Sequence, residues 1–117
     1  MFGQYLEKAG TQAVTVERLD DLWPRLFDGH NARPVLLKTD TQGHDLEVLQ
    51  GAEQSLPHIA AVLSEASIER LYENSPTLVE LAAYLERHGF RSSGYYPFSH
   101  RAESLAMIEL DAFFVRV

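Results

Sequence analysis

The segment LLKTDTQGHDLEVLQGAEQSL, residues 36–56, constrains the fold of this 117-residue chain more than any other part of it. A short apolar run ends at Lys38-Thr39-Asp40, a turn follows at Gly43, and leucines then recur at helical spacing. The pattern predicts a strand over residues 33–40, a tight loop, and a helix over residues 45–56. The loop at the carboxyl end of such a strand is where open α/β sheets place their ligand sites.

The rest of the chain alternates between strand and helix patterns. A minimal strand is predicted at residues 13–16, followed by a helix that Pro24 interrupts. Thr77 and Glu80 form a capping-box pattern at the start of a helix that ends at Gly89. The remaining predicted elements are a turn at residues 28–31, strands at 59–67, 90–98 and 110–117, and a loop at 71–74.

The order of these elements predicts an α/β fold with a mostly parallel sheet. Helices separate the strands at 33–40, 59–67 and 90–98, so right-handed crossovers should join them. The strand at 110–117 follows without a crossover helix and should run antiparallel to its neighbour.

Composition and charge exclude several classes of function. The net charge of −7 argues against electrostatic binding to nucleic acid or to an anionic membrane. The absence of cysteine excludes a disulfide framework and a thiolate zinc site. The first residues have no apolar signal-peptide core, and no segment reaches transmembrane length. We therefore expect a cytoplasmic protein.

Three charged residues near the predicted strand ends are candidates for a site. Lys38 and Asp40 lie two residues apart on the predicted strand and should therefore point to the same face of the sheet. Glu65 lies inside an apolar strand, where an unpaired carboxylate is costly. Adjacent parallel strands could pair Lys38 with Glu65, either to tune Asp40 or only to satisfy charges in the core. Asp40 itself either faces a ligand crevice or caps its own turn.

The start of the predicted helix offers two further polar residues. His44 is a candidate general base, because the pKa of histidine is near neutrality, although loop histidines are more often solvated. Asp45 favours the helix start through the helix dipole. With Asp40 these residues fit no established metal-ligand spacing, so no metal is predicted.

Three aromatic residues on the predicted strand at 90–98 leave two alternatives open. Tyr95, Tyr96 and Phe98 could roof an acceptor pocket. The favoured alternative is that they pack on the helix at 77–88.

Four blocks of the sequence carry a family resemblance. They are VTVERLDDL, LLKTDTQGHDLEVLQGAEQSL, AVLSEASIERLYENSPTLVELAAYLERHGF and IELDAFFVR, in this order. Together they resemble the C-terminal half of the FkbM-type S-adenosylmethionine-dependent methyltransferases. The resemblance implies the last four strands of a class I methyltransferase (Rossmann-like) sheet, with helices on both faces and an antiparallel last strand inserted beside its predecessor. It also implies methyl transfer from S-adenosylmethionine to a hydroxyl group of a small-molecule acceptor, a sugar or a secondary metabolite.

The same resemblance implies roles for individual residues. Asp40 should lie near the transferred methyl group, as a catalytic and cofactor-binding residue. Thr41 is either a second cofactor contact or a plain turn residue. Glu65, His44 and Lys38 are the other candidate catalytic residues.

One part of the family pattern is missing from this sequence. Gly3 and Gly10 stand alone, and no strand–glycine turn–helix unit occurs. The expected division is a remnant or linker at residues 1–12 and half of a methyltransferase domain at residues 13–117. Tight binding of S-adenosylmethionine by this chain alone is therefore not expected.

The missing half suggests a different class of function as the alternative. The chain would then be a catalytically silent α/β module that acts by association. The strand at 33–40 would have an open edge, which favours pairing with another copy. We expect a homo-oligomer through this edge, unless residues 1–16 cover it.

Overall fold

The computed structural model describes residues 10–28, 33–70, 73, 75–100 and 107–117. These residues form an α/β fold, as predicted, with four strands, three α-helices and one short 3₁₀ helix at Leu56–His58. The larger elements are α1 (Leu19–Phe27), β1 (Leu36–Thr39), α2 (Asp45–Gln50), β2 (Ala61–Ser67), α3 (Leu78–Arg87), β3 (Phe90–His100) and β4 (Met107–Arg116).

The four strands form one sheet in the order β1-β2-β4-β3. β1 and β2 are parallel, and β4 is antiparallel to both of its neighbours. Three strands therefore share one direction, but β1–β2 is the one adjacent parallel pair among the described strands, because the reversed β4 lies between β2 and β3. The prediction of an antiparallel last strand beside its predecessor is confirmed.

The core lies on one face of this sheet. Val62 and Ala66 of β2 alternate with half-exposed residues and face Leu49 of α2 and Leu81 of α3. Leu110, Ala112 and Phe114 of β4 complete the same cluster. The opposite face carries Leu63 and Phe113, which stay partly exposed.

The expected helices on both faces are not found in the described residues. α2 and α3 contribute buried side chains to the single core cluster, and Leu19 and Trp23 of α1 pack against it. In an open sheet the second layer comes from helices that connect further strands. The described residues contain no such further strands.

α1 continues through Pro24, so the predicted interruption is wrong. Proline removes one backbone donor, but this loss is tolerated because hydrogen bonds to residues outside α1 hold the helix in place. The Asp20 N–H donates to the Gly51 carbonyl at 3.0 Å, and the Asp20 carboxylate accepts from the backbone N–H groups of Gln54 and Ser55.

The same contacts explain why α2 is shorter than the predicted helix over residues 45–56. The Gly51 carbonyl bonds to α1, and the next residues form i→i+3 turns before the 3₁₀ helix. A Cβ on Gly51 would lie 3.4 Å from Arg18 Cβ, an ordinary van der Waals distance, which shows how closely the start of α1 packs here.

α3 matches the prediction from its sequence. Thr77 accepts from the Glu80 N–H, and the Glu80 side chain accepts from the Thr77 N–H, which completes the capping box. After the helix, Gly89 has a φ of 88°, the left-handed conformation that favours glycine.

The ends of several other elements differ from the predictions. Residues 13–16 form no strand, since they pair with no described strand, and Val14 and Val16 are exposed. β1 is four residues long rather than eight, whereas β3 and β4 are longer than predicted. Most of the predicted turn at 28–31 and of the loop at 71–74 lies outside the described residues.

Within the described part of the chain, every helix is too short or too polar to cross a lipid bilayer.

Candidate functional site

A carboxyl cluster lies at the carboxyl ends of the parallel strands β1 and β2. Thr39 pairs in register with Ser64, so the next residues, Asp40 and Glu65, are also neighbours. The Glu65 carboxyl lies close enough to the carboxyl groups of Asp40 and of Glu109 on β4 for both to raise its pKa. The structure therefore brings together Asp40 and Glu65, two of the predicted site residues.

The environment of Glu65 raises the pKa of its carboxyl from 4.5 to about 7. Partial burial is the largest cause, because it disfavours the charged form. The hydrogen bond and negative charge of Asp40 add to the effect, followed by those of Glu109. A carboxyl with this pKa can accept or donate a proton near neutral pH.

The expected ion pair between Lys38 and Glu65 is not formed. Lys38 pairs in register with Leu63, two residues before Glu65, and its side chain is exposed. The neighbours that shift the pKa of Glu65 are carboxyl groups instead. The two-residue spacing of Lys38 and Asp40 correctly placed Lys38 on the face that carries Asp40. The spacing could not show that the Lys38 ammonium group would be solvated instead of paired.

The loop between β1 and α2 is organised by Asp45, which is 2% exposed. Thr39 Oγ1 donates to Asp45 Oδ2 at 2.6 Å. Thr41 donates to Asp45 Oδ1 through its hydroxyl at 2.5 Å and through its backbone N–H at 3.3 Å. Gln42 and Gly43 have φ values of 53° and 114°, and their left-handed conformations complete the tight turn.

Thr41 and His44 are placed differently from the predicted catalytic arrangement. The Thr41 hydroxyl is committed to the loop, since it donates to Asp45 and accepts from the His44 N–H at 3.1 Å. The exposed His44 ring has Nδ1 3.3 Å from Oε2 of Glu47. His44 borders a separate groove of about 410 Å³, formed with residues 16–19 and the exposed side of α2. The structure therefore does not bring its ring into the cleft beside Glu65.

The cleft beside Glu65 is small. Its volume is about 30 Å³, and its walls are Gln42, Gly43, Asp45, Glu65, Ser67, Ser75, Pro76 and Glu109. Cofactor-sized pockets usually measure roughly 300–1,000 Å³. The residues that line this cleft therefore do not by themselves enclose S-adenosylmethionine, although their carboxylates suit contact with a positively charged part of a ligand.

The aromatic residues of β3 do not pack under α3 as favoured from the sequence. Tyr95, Tyr96 and Phe98 are 45–60% exposed. Tyr96 instead lies over Gly94, where a Cβ would come within 2.9 Å of its hydroxyl oxygen. Tyr96 pairs with Asp111, which pairs with Glu65, so the three residues form one row across the sheet.

Two site residues could not be identified from the sequence. Glu109 reaches Glu65 because β4 lies next to β2, and the register of an antiparallel strand is not visible in a single sequence. Asp45 was interpreted as a helix-start residue, and a role as a metal ligand was rejected. The available signal was the spacing of two threonines around Asp40, which can both reach a carboxylate at the helix start. No group of possible metal ligands is present among the described residues.

Comparison with known proteins gives one match. The family model of the methyltransferase FkbM domain matches residues 2–92, which is most of the chain and includes the carboxyl cluster apart from Glu109. Searches of curated proteins and of solved structures found no match. The resemblance seen in the sequence is confirmed, and the chain belongs to the FkbM-type methyltransferase family.

Proposed function

We propose that this chain supplies the acceptor-activating part of an S-adenosylmethionine-dependent O-methyltransferase. The observation that carries the proposal is the contact between Asp40 and Glu65 at the carboxyl ends of adjacent parallel strands. This end of a parallel sheet is where α/β enzymes bind their ligands. A pKa of about 7 suits Glu65 to accept the proton of an acceptor hydroxyl.

The chemistry proposed for the chain is a proton transfer. In its ionised form, Glu65 accepts the hydroxyl proton of the acceptor, and the O–H bond electrons stay on the acceptor oxygen. Asp40 and Glu109 raise the proton affinity of Glu65 for this step. S-Adenosylmethionine would supply an electrophilic methyl group, and the remaining contacts to it would come from residues outside the small cleft.

Calorimetric titration with S-adenosylhomocysteine tests the proposal. If the carboxyl cluster is part of a cofactor site, the 117-residue chain should bind S-adenosylhomocysteine saturably but weakly, because the cleft beside Glu65 does not enclose the whole molecule. Asp40→Asn should weaken this binding at least several-fold. Asp21→Asn is a matched control, because Asp21 is an exposed carboxylate paired with Arg18 on α1. The proposal would be contradicted if no saturable binding were measured, or if Asp40→Asn and Asp21→Asn changed the affinity equally.

A second candidate function is association without catalysis. The observation in its favour is β1, which pairs with β2 on one side and with no described strand on the other. Leu36 at this edge is 55% exposed. An open edge of this kind is a template for pairing with another chain. The two candidates differ in the titration, since an association module has no need to bind S-adenosylhomocysteine.

A further inference from the structure

We propose that Asp45 is a positioning residue whose buried carboxylate holds Asp40 beside Glu65. It acts through the two threonines that flank Asp40 in the sequence. The catalytic meaning of this inference rests on the proposed function, but the positioning itself can be tested without any enzymatic activity.

The directions of the hydrogen bonds can be deduced from the chemistry of the groups. An ionised Asp45 only accepts, so both threonine hydroxyls must donate to it. A hydroxyl has a single proton, so Thr39 Oγ1 must accept from Ser64 Oγ at 2.6 Å. Likewise Thr41 Oγ1 accepts from the His44 N–H. Both threonine hydroxyl protons are therefore donated to Asp45, and a single assignment of donors and acceptors satisfies every contact of the network.

This network spans the two strands that carry the carboxyl pair. Thr39 precedes Asp40 and Thr41 follows it, and both are bonded to Asp45. Ser64 precedes Glu65 and is bonded to Thr39. Successive residues of a strand point to opposite faces, so Thr39 and Ser64 lie on the covered face, and the carboxyl pair that follows them lies on the other.

The burial of Asp45 gives the network its strength. A buried carboxylate is costly unless hydrogen bonds satisfy it, and here the donors come from the loop that carries Asp40. Release of either Thr39 or Thr41 would leave one oxygen of this carboxylate without its hydroxyl donor. The loop is therefore fixed in the conformation that places Asp40 against Glu65.

The test is a ¹³C NMR titration of the Glu65 carboxyl in the 117-residue chain. In the unsubstituted protein, the titration midpoint should lie at about 7. Asp40→Asn removes the Asp40 charge and should lower the midpoint. Asp45→Asn should reproduce most of that shift although it leaves Asp40 in place. The double substitution should lower the midpoint no further than Asp40→Asn alone.

Asp20→Asn is the matched control. Asp20 also accepts from three donors, Gln54 N–H, Ser55 N–H and Ser55 Oγ, but it holds α1 rather than the β1–α2 loop. Asp20→Asn should destabilise the protein about as much as Asp45→Asn does, but it should leave the titration midpoint of Glu65 unchanged. If Asp45→Asn does not fold, Thr41→Val removes one hydroxyl donor from the same network and should lower the midpoint in the same direction. A folded Asp45→Asn or Thr41→Val protein with the unsubstituted midpoint would overturn the inference.

Discussion

Glu65 faces carboxyl groups from both neighbouring strands. Asp40 follows β1, and Glu109 lies on β4. Since this environment raises its pKa from 4.5 to about 7, the folded state holds an extra proton between these two pH values. The contribution of Glu65 to stability is then fully present below about pH 4.5 and is lost as the pH rises through about 7.

Glu65→Gln should remove this pH dependence. The measured quantity is the free energy of unfolding of the unsubstituted protein minus that of Glu65→Gln. This difference should fall by on the order of 1 kcal/mol between pH 5 and pH 8, a value that is discounted for the partial exposure of Glu65. Chemical denaturation at several pH values measures this difference. Glu86→Gln on the exposed side of α3 should show no such trend. A difference that does not vary with pH would refute the assignment of the raised pKa to Glu65.

Arg116 connects three segments at the other end of the sheet. Its Nε donates to the Ile59 carbonyl at 2.9 Å, and its two terminal nitrogens donate to the carbonyls of Leu56 and His88. Its guanidinium also lies 4.2 Å from the centroid of the Phe90 ring. The side chain thus satisfies carbonyl groups at the ends of the 3₁₀ helix and of α3.

Arg116→Met should destabilise the protein by about 2 kcal/mol, because it keeps the apolar stem but leaves part-buried carbonyls without a donor. Chemical denaturation gives the value. Arg91→Met is the control, since Arg91 is exposed on the neighbouring β3. Equal effects of the two substitutions would show that the carbonyl contacts add no stability.

At the level of single elements, α1 carries an unfavourable residue that its surroundings tolerate. Pro24 lies inside the helix and is exposed, so its ring gains little from packing. Pro24→Ala should therefore restore a backbone bond to Asp20 and raise the free energy of unfolding by about 1 kcal/mol. The measurement is denaturation monitored through the fluorescence of Trp23. Leu26→Ala, at an exposed position of the same helix, should change stability by less than about 0.5 kcal/mol. A loss of stability in Pro24→Ala would show that the proline ring makes a favourable contact.

The elements that could be predicted from the sequence are those whose signals are local. The capping box of α3 and the last strand depend on residues a few positions apart, and the structure contains both. The end of α2 was missed because it depends on Asp20 bonding to Gly51 across a long sequence separation. The pairing of Asp40 with Glu65, rather than Lys38 with Glu65, depends on strand register and on competition with solvent. A sequence pattern contains neither of these.

For the whole molecule, the open edge of β1 and the partly exposed face beside it favour self-association. The sedimentation coefficient should rise with protein concentration, and Leu36→Lys should suppress this rise, since charges on an edge strand oppose pairing. Val79→Lys is the control, because Val79 is 77% exposed and lies on α3, not on the edge strand β1. A coefficient that stays monomeric at all concentrations would rule out pairing through β1.

The position of β4 has a consequence for how the chain folds. β4 is the last of the four strands to be synthesised, yet it lies between β2 and β3 and forms backbone hydrogen bonds to both. Until residues 107–116 leave the ribosome, the facing edges of β2 and β3 have no partner, and the buried side chains of α3 have only part of their packing surface. From the completion of β3 until β4 emerges, the nascent chain must therefore carry two unpaired strand edges, and this sheet can form only after β4 is available.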